Sequence, residues 1–164
     1  MLAIKKAVYD DKTLTLSQLV DILKNNWEGQ EILRQRIKKT FPKYGIGDVY
    51  ADSLTRWMLE KLANRINGRP NAKGGVYRFG AFTVDWRFVF GEKTGASADG
   101  RLAGETISKN ICATLGGDRE GATAMIASAA RLGGKMTPNG SVLDLQLHSS
   151  AVRGESGMQA MLAT

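Results

Sequence analysis

Leu16, Leu19, Val20 and Leu23 recur at three- and four-residue intervals, the spacing of one face of an α-helix. Thr15 and Gln18 stand three apart at its start, where each side chain can satisfy a free amide of the first turn. Asn25 and Asn26 are good stop residues. A second helix is predicted over residues 29–40, with Ile32, Leu33 and Ile37 on one face and Pro42 preventing continuation. The stretch FPKYGIGDVYAD then reads as a loop leading into a helix. Gly45 and Gly47 permit unusual backbone angles, and Asp48 is placed as an N-cap. The longest helix follows. Leu54, Trp57, Met58, Leu62 and Ile66 fall on one stripe, and Gly68 supplies a C-terminal stop.

From Arg69 the period changes. GRPNAKGG is a turn-rich connection, after which VYRFGAFTVDWRFVFG alternates. Phe82, Val84, Trp86, Phe88 and Phe90 share one face; Ala81, Thr83, Asp85, Arg87 and Val89 share the other. That alternation predicts a strand whose second face carries an acid and a base. A glycine-containing loop follows, with type I turn chemistry at SADG. GATAMIASAARL predicts a helix and PNG a turn. SVLDLQLH predicts a second strand, with Leu143, Leu145 and Leu147 on one face and Asp144, Gln146 and His148 on the other. A last helix is expected from about Gly154 to the final residue, Thr164. Strand, helix, strand in this order implies a right-handed parallel crossover. Parallel strands are covered on both faces, and two of them do not make a stable sheet. The pattern therefore asks for more strands than these residues provide, and the last helix lacks a stop signal. The expected architecture is α/β, an incomplete unit with a helical part (1–68) and a strand–loop–helix–strand part (69–164).

Composition changes this picture little. The chain has 164 residues, 43% hydrophobic and 24% charged, the balance of a soluble globular protein. It has no apolar run near membrane-span length and no apolar start suited to a signal peptide, so a cytoplasmic location is expected. A formal charge of +7 raises the question of nucleic acid. The basic residues, such as Arg34, Arg36, Lys38 and Lys39, alternate with apolar positions along helices. They read as a solvated face, with no interleaved exposed aromatics and no nucleic-acid motif.

Candidate chemistry is sparse. A single cysteine, Cys112, excludes an internal disulfide and a CxxC metal site, and a single histidine, His148, argues against a histidine-based zinc site. Cys112 lies among apolar residues with no histidine near in sequence, which favours a buried structural cysteine. GEKTG lacks the glycine spacing of a phosphate loop. GGDREGA offers a weak anion-binding possibility if Gly121 opens a helix, against the favoured reading of a plain loop and helix N-terminus. Asp85, Arg87, Asp144 and His148 remain as candidates to line a pocket or join an ion-pair network.

The segment FGEKTGASADGRLAGETISKN resembles the stretch of glycyl radical enzymes in which a barrel strand runs into a G-x-x-T-G-x-x-x-D-G-R-x-A-G-x-x-x-S loop. The matching residues are Gly91, Thr94, Gly95, Asp99, Gly100, Arg101, Ala103, Gly104 and Ser108. NNWEGQEILRQRIKKTFPKYGIGDVYAD, GGDREGATAMIASAARL and NGSVLDLQLHSSAVRGE are similar, in order, to further segments of that family. Ile46 departs, standing where asparagine is usual.

The resemblance implies a portion of a ten-stranded α/β barrel, in a family that includes pyruvate formate-lyase and lyases or dehydratases of small molecules in anaerobic metabolism. In that family a C-terminal glycine holds a radical installed by an activating enzyme with S-adenosylmethionine and an iron–sulfur cluster. The radical passes to a cysteine in a G-C-x-E-like context. Neither element can be assigned here. Cys112 follows the D-G-R loop and lacks that context, and AVRGES has the wrong order for the R-V-x-G-Y/W radical motif. The resemblance thus implies no catalytic residue and no bound cofactor in this chain. It implies as partners the remainder of the barrel, the activating enzyme and a small-molecule substrate. The expected role is a segment of a glycyl radical lyase, dehydratase or formate acetyltransferase-type enzyme, leaning to the lyase and dehydratase branch and inactive alone. The alternative is a non-catalytic module docking on a complementary half-barrel.

Overall fold

The computed structural model describes residues 1–163, the side chains of Val84 and Ser150 excepted. Helices dominate: α1 (Leu2–Ile4), running into a π-helical turn (Lys5–Asp10), then α2 (Leu16–Lys24), α3 (Glu31–Thr40), α4 (Val49–Ile66), α5 (Arg87–Glu92), α6 (Gly121–Leu132) and α7 (Gly154–Leu162). The chain divides into two compact units, each drawing on two stretches of sequence. The first comprises residues 1–43 and 83–107, the second residues 44–82 and 108–164.

In the first unit, local signals set the helix ends. Thr15 and Gln18 exchange the two hydrogen bonds of a capping box, Gln18 N–H to Thr15 Oγ1 at 3.2 Å and Thr15 N–H to Gln18 Oε1 at 2.8 Å. Beyond α2 the chain reverses through Asn26 and Trp27, both in the left-handed region at φ 51° and 66°. That conformation is uncommon for a bulky side chain. At Trp27 it is offset by burial: the indole is 1% exposed and sits in a core of Ala3, Ala7, Leu19, Ile37 and Phe41. Ile37 faces this core as its spacing requires, with Leu33 packed against it. Ile32 does not share that face and is 90% exposed. The N-terminal turns contribute Ala3 and Ala7 to this core although their sequence carries no strong periodicity.

In the second unit, α4 packs on α6. Asp48 caps α4, accepting from the Tyr50 and Ala51 amides at 2.9 and 3.0 Å. The small residues Ala51 and Ala63 of α4 are buried, as are Met125, Ser128 and Leu132 of α6. The predicted stripe of α4 is not its core face. Trp57, Met58 and Leu62 are exposed, and the inward side carries Ala51, Asp52 and Ala63 instead. Asp52 is fully buried and its Oδ2 lies 2.7 Å from the Arg131 guanidinium. Its Oδ1 has no hydrogen-bond partner among the described residues. Past α4, Asn67 ties the returning chain: its Nδ2 donates to the Met136 carbonyl at 3.0 Å and its Oδ1 accepts from Phe79 N–H at 2.6 Å.

The two predicted strands are corrected. Over VYRFGAFTVDWRFVFG the chain forms a 3-10 turn at Val84–Trp86 and then α5, so the alternating faces are not those of a pleated ribbon. The described residues contain only isolated bridges, Pro70 with Val76 and Ala81 with Ser141. Backbone pairing needs a neighbouring strand, and at the Gly91 end of this segment the neighbour is the loop of residues 105–107. A Cβ on Gly91 would lie 2.7 Å from the Glu105 carbonyl oxygen, so the end of α5 rests directly on backbone. Pairing of the 141–148 segment is confined to its start, with Ala81 N–H donating to Gly140 O at 3.0 Å and Ile111 N–H to Val142 O at 3.1 Å. The Ala81–Ser141 bridge is parallel, in the sense the crossover argument required. The last helix starts at Gly154 as expected; its predicted end, Thr164, lies outside the described residues.

Two stability outcomes follow from these cores. Trp27→Ala is expected to cost about 3–5 kcal/mol in equilibrium urea unfolding, by cavity formation. Trp27→Phe, which keeps most of the volume and loses the indole donor, should cost about 1 kcal/mol. Arg131→Met strands a buried carboxylate. It should cost about 2 kcal/mol, below the full buried-pair penalty because Arg131 is 40% exposed. Adding Asp52→Ala should return most of that loss, since no unpaired charge remains; a further loss in the double variant would refute this assignment.

Candidate functional site

The loop after α5 is an irregular segment of the first unit held by many hydrogen bonds, and its glycines and polar residues explain why. Thr94 Oγ1 donates to the Phe90 carbonyl at 2.5 Å, and Gly104 N–H returns to the Thr94 carbonyl at 3.1 Å, closing the loop on itself. Within it the SADG turn forms, with Gly100 N–H donating to Ser97 O and Ser97 N–H to Arg101 O, both at 3.0 Å. Gly100 takes φ +91°, and a Cβ there would meet the Lys38 side chain at 2.7 Å. Asp99 accepts from the Ser97 hydroxyl at 2.5 Å.

Arg101 is the centre of this loop. Its guanidinium donates to the carbonyls of Leu102 (3.0 Å), Glu105 (2.7 Å), Thr94 (3.4 Å) and Gly95. A planar fork of five donors suits several carbonyls at once in a way a lysine ammonium does not. Three side chains from the α2–α3 region bind the same loop. Trp27 Nε1–H donates to Ser97 O at 3.2 Å, Arg34 Nε–H to Gly100 O at 2.7 Å, and Asn26 Oδ1 accepts from Ala103 N–H at 2.7 Å. Arg34 Nη2 also lies 3.6 Å from Glu105 Oε1. The matching residues Gly91, Thr94, Asp99, Gly100 and Arg101 are therefore occupied in holding the loop. Thr94 Oγ1, Asp99 Oδ1 and the Arg101 guanidinium bond to the loop's own backbone and side chains.

By spacing alone Arg34 belongs to a solvated basic face, yet its side chain is only 15% exposed. Asn26, a helix stop by its sequence, is also a loop anchor. No local signal separates these roles, because the partners lie 66 and 77 residues away.

In the second unit the polar cluster centres on Asp144. Its carboxylate accepts from Asn110 Nδ2 at 2.5 Å and lies 3.0 Å from Lys109 Nζ. These hydrogen bonds hold the exposed carboxyl below its ordinary pKa. Cys112 shares the cluster: Asp144 N–H donates to its Sγ at 3.3 Å, and the thiol faces the Asp144 carbonyl at 3.6 Å. Partial burial pushes the thiol pKa up, the backbone donor only partly opposing it. Its sulfur also lies 3.8 Å from Asp144 Oδ2, and Cys112 is only partly buried, so the buried structural cysteine expected from its apolar neighbours is corrected to a half-buried thiol in a polar cluster. Tyr44 lies nearby, its hydroxyl donating to Ile111 O at 2.8 Å, and burial pushes its pKa well above the usual phenol value.

Of the four candidate pocket residues, Asp85 and Arg87 fall in the first unit and Asp144 and His148 in the second. Asp85 is exposed on the 3-10 turn. The Arg87 guanidinium carbon sits 4.4 Å from the Phe88 ring centroid, and its Nε is buried without a hydrogen-bond partner among the described residues. Asp144 takes Lys109 as its cation, and His148 is exposed. Sequence reasoning did not single out Arg131, Ser128 and Asn67, which bond to distant backbone. Ser128 Oγ accepts from Gly47 N–H at 3.0 Å, and Arg131 donates to Gly47 O at 3.2 Å.

The first unit also has an open groove of about 470 Å³ beside Val8, Tyr9, Lys12, Thr13, Leu14 and Leu16, a lining without acid–base pairs. No group of three or more His, Cys, Asp or Glu side chains gathers to hold a metal among the described residues. None of the described helices is long and apolar enough to cross a membrane.

Arg101→Lys should leave the helices intact and loosen the loop. Amide hydrogen exchange over residues 94–105 is expected to accelerate roughly tenfold, as losing about 1.4 kcal/mol of net hydrogen bonding would do, while α6 in the other unit keeps its rates. Unchanged exchange in the loop would show that the guanidinium fork is not what orders it.

Comparison with known proteins supplies the wider context. The pyruvate formate lyase-like family model matches residues 1–91. Trans-4-hydroxy-L-proline dehydratase of Clostridioides difficile is 36% identical over 159 residues, covering 97% of this chain and 20% of the relative. (2S)-3-sulfopropanediol dehydratase of Klebsiella oxytoca is 32% identical over 165 residues, covering 98% and 20%. The crystal structure of the C. difficile hydroxyproline dehydratase with its substrate superposes with a TM-score of 0.92 at 34% identity, over 99% of this chain and 20% of that one. The chain thus spans about a fifth of the length of the relatives it matches, and the fold is that of part of their barrel. By family model, sequence identity and superposition alike, the chain belongs to the pyruvate formate lyase-like family of glycyl radical enzymes.

Proposed function

We propose that this chain serves as one segment of a glycyl radical lyase or dehydratase, supplying scaffold and no reacting group of its own. The observation that carries this reading is the clamped loop of residues 94–105. The polar residues that match the family there are spent on holding the loop's own backbone and turn. The curated relatives are dehydratases of trans-4-hydroxy-L-proline and (2S)-3-sulfopropanediol, which supports a small hydroxylated molecule as the substrate of the whole enzyme. The reaction would be radical C–O, C–C or C–S cleavage.

In this reading the radical-bearing glycine and the thiyl cysteine belong to the rest of the enzyme. The radical is installed by a separate activating enzyme that uses S-adenosylmethionine and an iron–sulfur cluster, in the cytoplasm. Cys112 fits the part of bystander. Its sulfur is hydrogen-bonded on both sides by the Asp144 backbone, and its pKa is raised. The candidates Asp85, Arg87, Asp144 and His148 could approach a substrate only where the rest of the barrel completes a pocket around them.

Two measurements test this. After anaerobic incubation with an activating enzyme and S-adenosylmethionine, the isolated chain should give no glycyl signal in electron paramagnetic resonance and no turnover. A doublet from this chain would sink the proposal. Because the folded state holds the Cys112 proton more tightly than an open chain does, less thiolate is present at neutral pH. Iodoacetamide should therefore alkylate the folded chain near neutral pH several-fold more slowly than the urea-unfolded chain, and the gap should narrow as pH rises. Equal rates near neutral pH would contradict the protected thiol.

A further inference from the structure

An asparagine followed by glycine is open to attack from its own backbone, because glycine has no Cβ to shield its amide nitrogen from the asparagine side chain. The chain holds two such pairs, Asn67–Gly68 and Asn139–Gly140. Both lie in the second unit, and both glycines take a left-handed φ, +77° at Gly68 and +95° at Gly140.

The fold treats the two asparagines differently. Asn67 is half-buried, and both ends of its amide are in use. Its Nδ2 donates to Met136 O at 3.0 Å and its Oδ1 accepts from Phe79 N–H at 2.6 Å. Both bonds must break before the Gly68 nitrogen can reach Asn67 Cγ. Asn139 is exposed, and its side chain makes no hydrogen bond among the described residues. The two nucleophiles are held alike. Gly68 N–H donates to Tyr77 O at 3.1 Å, and Gly140 N–H donates to Thr137 O at 2.7 Å, closing the TPNG turn. The attacking nitrogen is therefore restrained in both pairs, and the group it attacks is restrained only at Asn67.

We propose that Asn139 is a site of spontaneous covalent modification, by deamidation through a cyclic imide, and that Asn67 is shielded from the same reaction by its two side-chain bonds. The reaction needs water alone. When the turn opens locally, the Gly140 nitrogen attacks Asn139 Cγ. The N–Cγ bond forms, the Cγ–Nδ2 bond breaks, and Nδ2 leaves as ammonia carrying the former Gly140 amide proton. Water then opens the imide at either carbonyl. One product is aspartate. The other is isoaspartate, in which the backbone runs through Cβ and Cγ. No electrons are transferred.

The place of this turn gives the modification a consequence. Asn139 N–H donates to Phe79 O at 3.1 Å, and Gly140 O accepts from Ala81 N–H at 3.0 Å. These two bonds lie beside the parallel Ala81–Ser141 bridge, at the start of the 141–148 segment. An isoaspartyl linkage inserts one more backbone atom between the two anchors and adds a carboxylate. The lengthened chain no longer matches their spacing, so the turn detaches from residues 79–81.

Ageing of the folded 164-residue chain under mildly alkaline conditions, followed by peptide mapping in a mass spectrometer, tests the proposal. In the folded chain Asn139 should deamidate at least about tenfold faster than Asn67, the ratio that two extra side-chain hydrogen bonds imply. In urea, where both pairs are open, the two rates should agree within about twofold. Equal rates in the folded chain would overturn the proposal. So would an Asn139 that deamidates in urea and stays intact over the same period when folded. Asn139→Gln should remove the isoaspartate that an isoaspartyl methyltransferase labels in the aged folded chain; label that persists would put the modification elsewhere. The isoaspartyl form, separated by ion exchange, should lose amide protection at Ala81 by about tenfold or more while α6 keeps its rates. Protection retained at Ala81 would overturn the detachment of the turn.

Discussion

A backbone amide or carbonyl removed from water needs a partner, and most α/β proteins meet that need with sheet ladders. Among the described residues here the ladders are two isolated bridges. Side chains take over. Arg101, Arg34, Asn26 and Trp27 hold the loop after α5. Tyr44, Ser128, Arg131 and Asn67 hold the connections around α4. Most of these bonds span a long separation in sequence. Each such bond also closes a long loop, and the irregular segments stay in place because of them.

This constraint explains the pattern of glycines. Where a side chain reaches backbone directly, the opposing position leaves no room for a Cβ. Gly45 would place one 2.6 Å from that of Ala113, and Gly91 rests on the Glu105–Ile107 backbone. Close approach and side-chain capture go together. The family match at Gly91, Asp99, Gly100 and Arg101 is a match in how backbone is packed and captured. It is a match in fold.

The same economy accounts for what is exposed. Trp57 on α4 and Phe88 on α5 are exposed, with no layer above them among the described residues. The buried apolar set mixes alanines, such as Ala51 and Ala63 on α4, with a few large side chains, of which the Trp27 indole in the first unit is the largest. The polar residues Asp52 and Ser128 are buried in the second.

Local chemistry was legible in the sequence by itself. The Thr15–Gln18 capping box, the Asp48 cap, the start of α6 and α7, the SADG turn and the left-handed Gly68 after α4 all depend on neighbours within four residues. Family membership was legible for a related reason: the residues that hold the loop must keep a fixed order and spacing. Tertiary structure alone decided the rest. Arg34 and Asn26 became loop anchors through partners that no local pattern reveals. The alternation from Phe82 to Phe90 forms a 3-10 turn and a helix because a strand exists only when another strand lies beside it, and among the described residues none does. The apolar stripe of α4 faces out because periodicity tells which residues share a face, and only the neighbour, here α6, determines which face is inside.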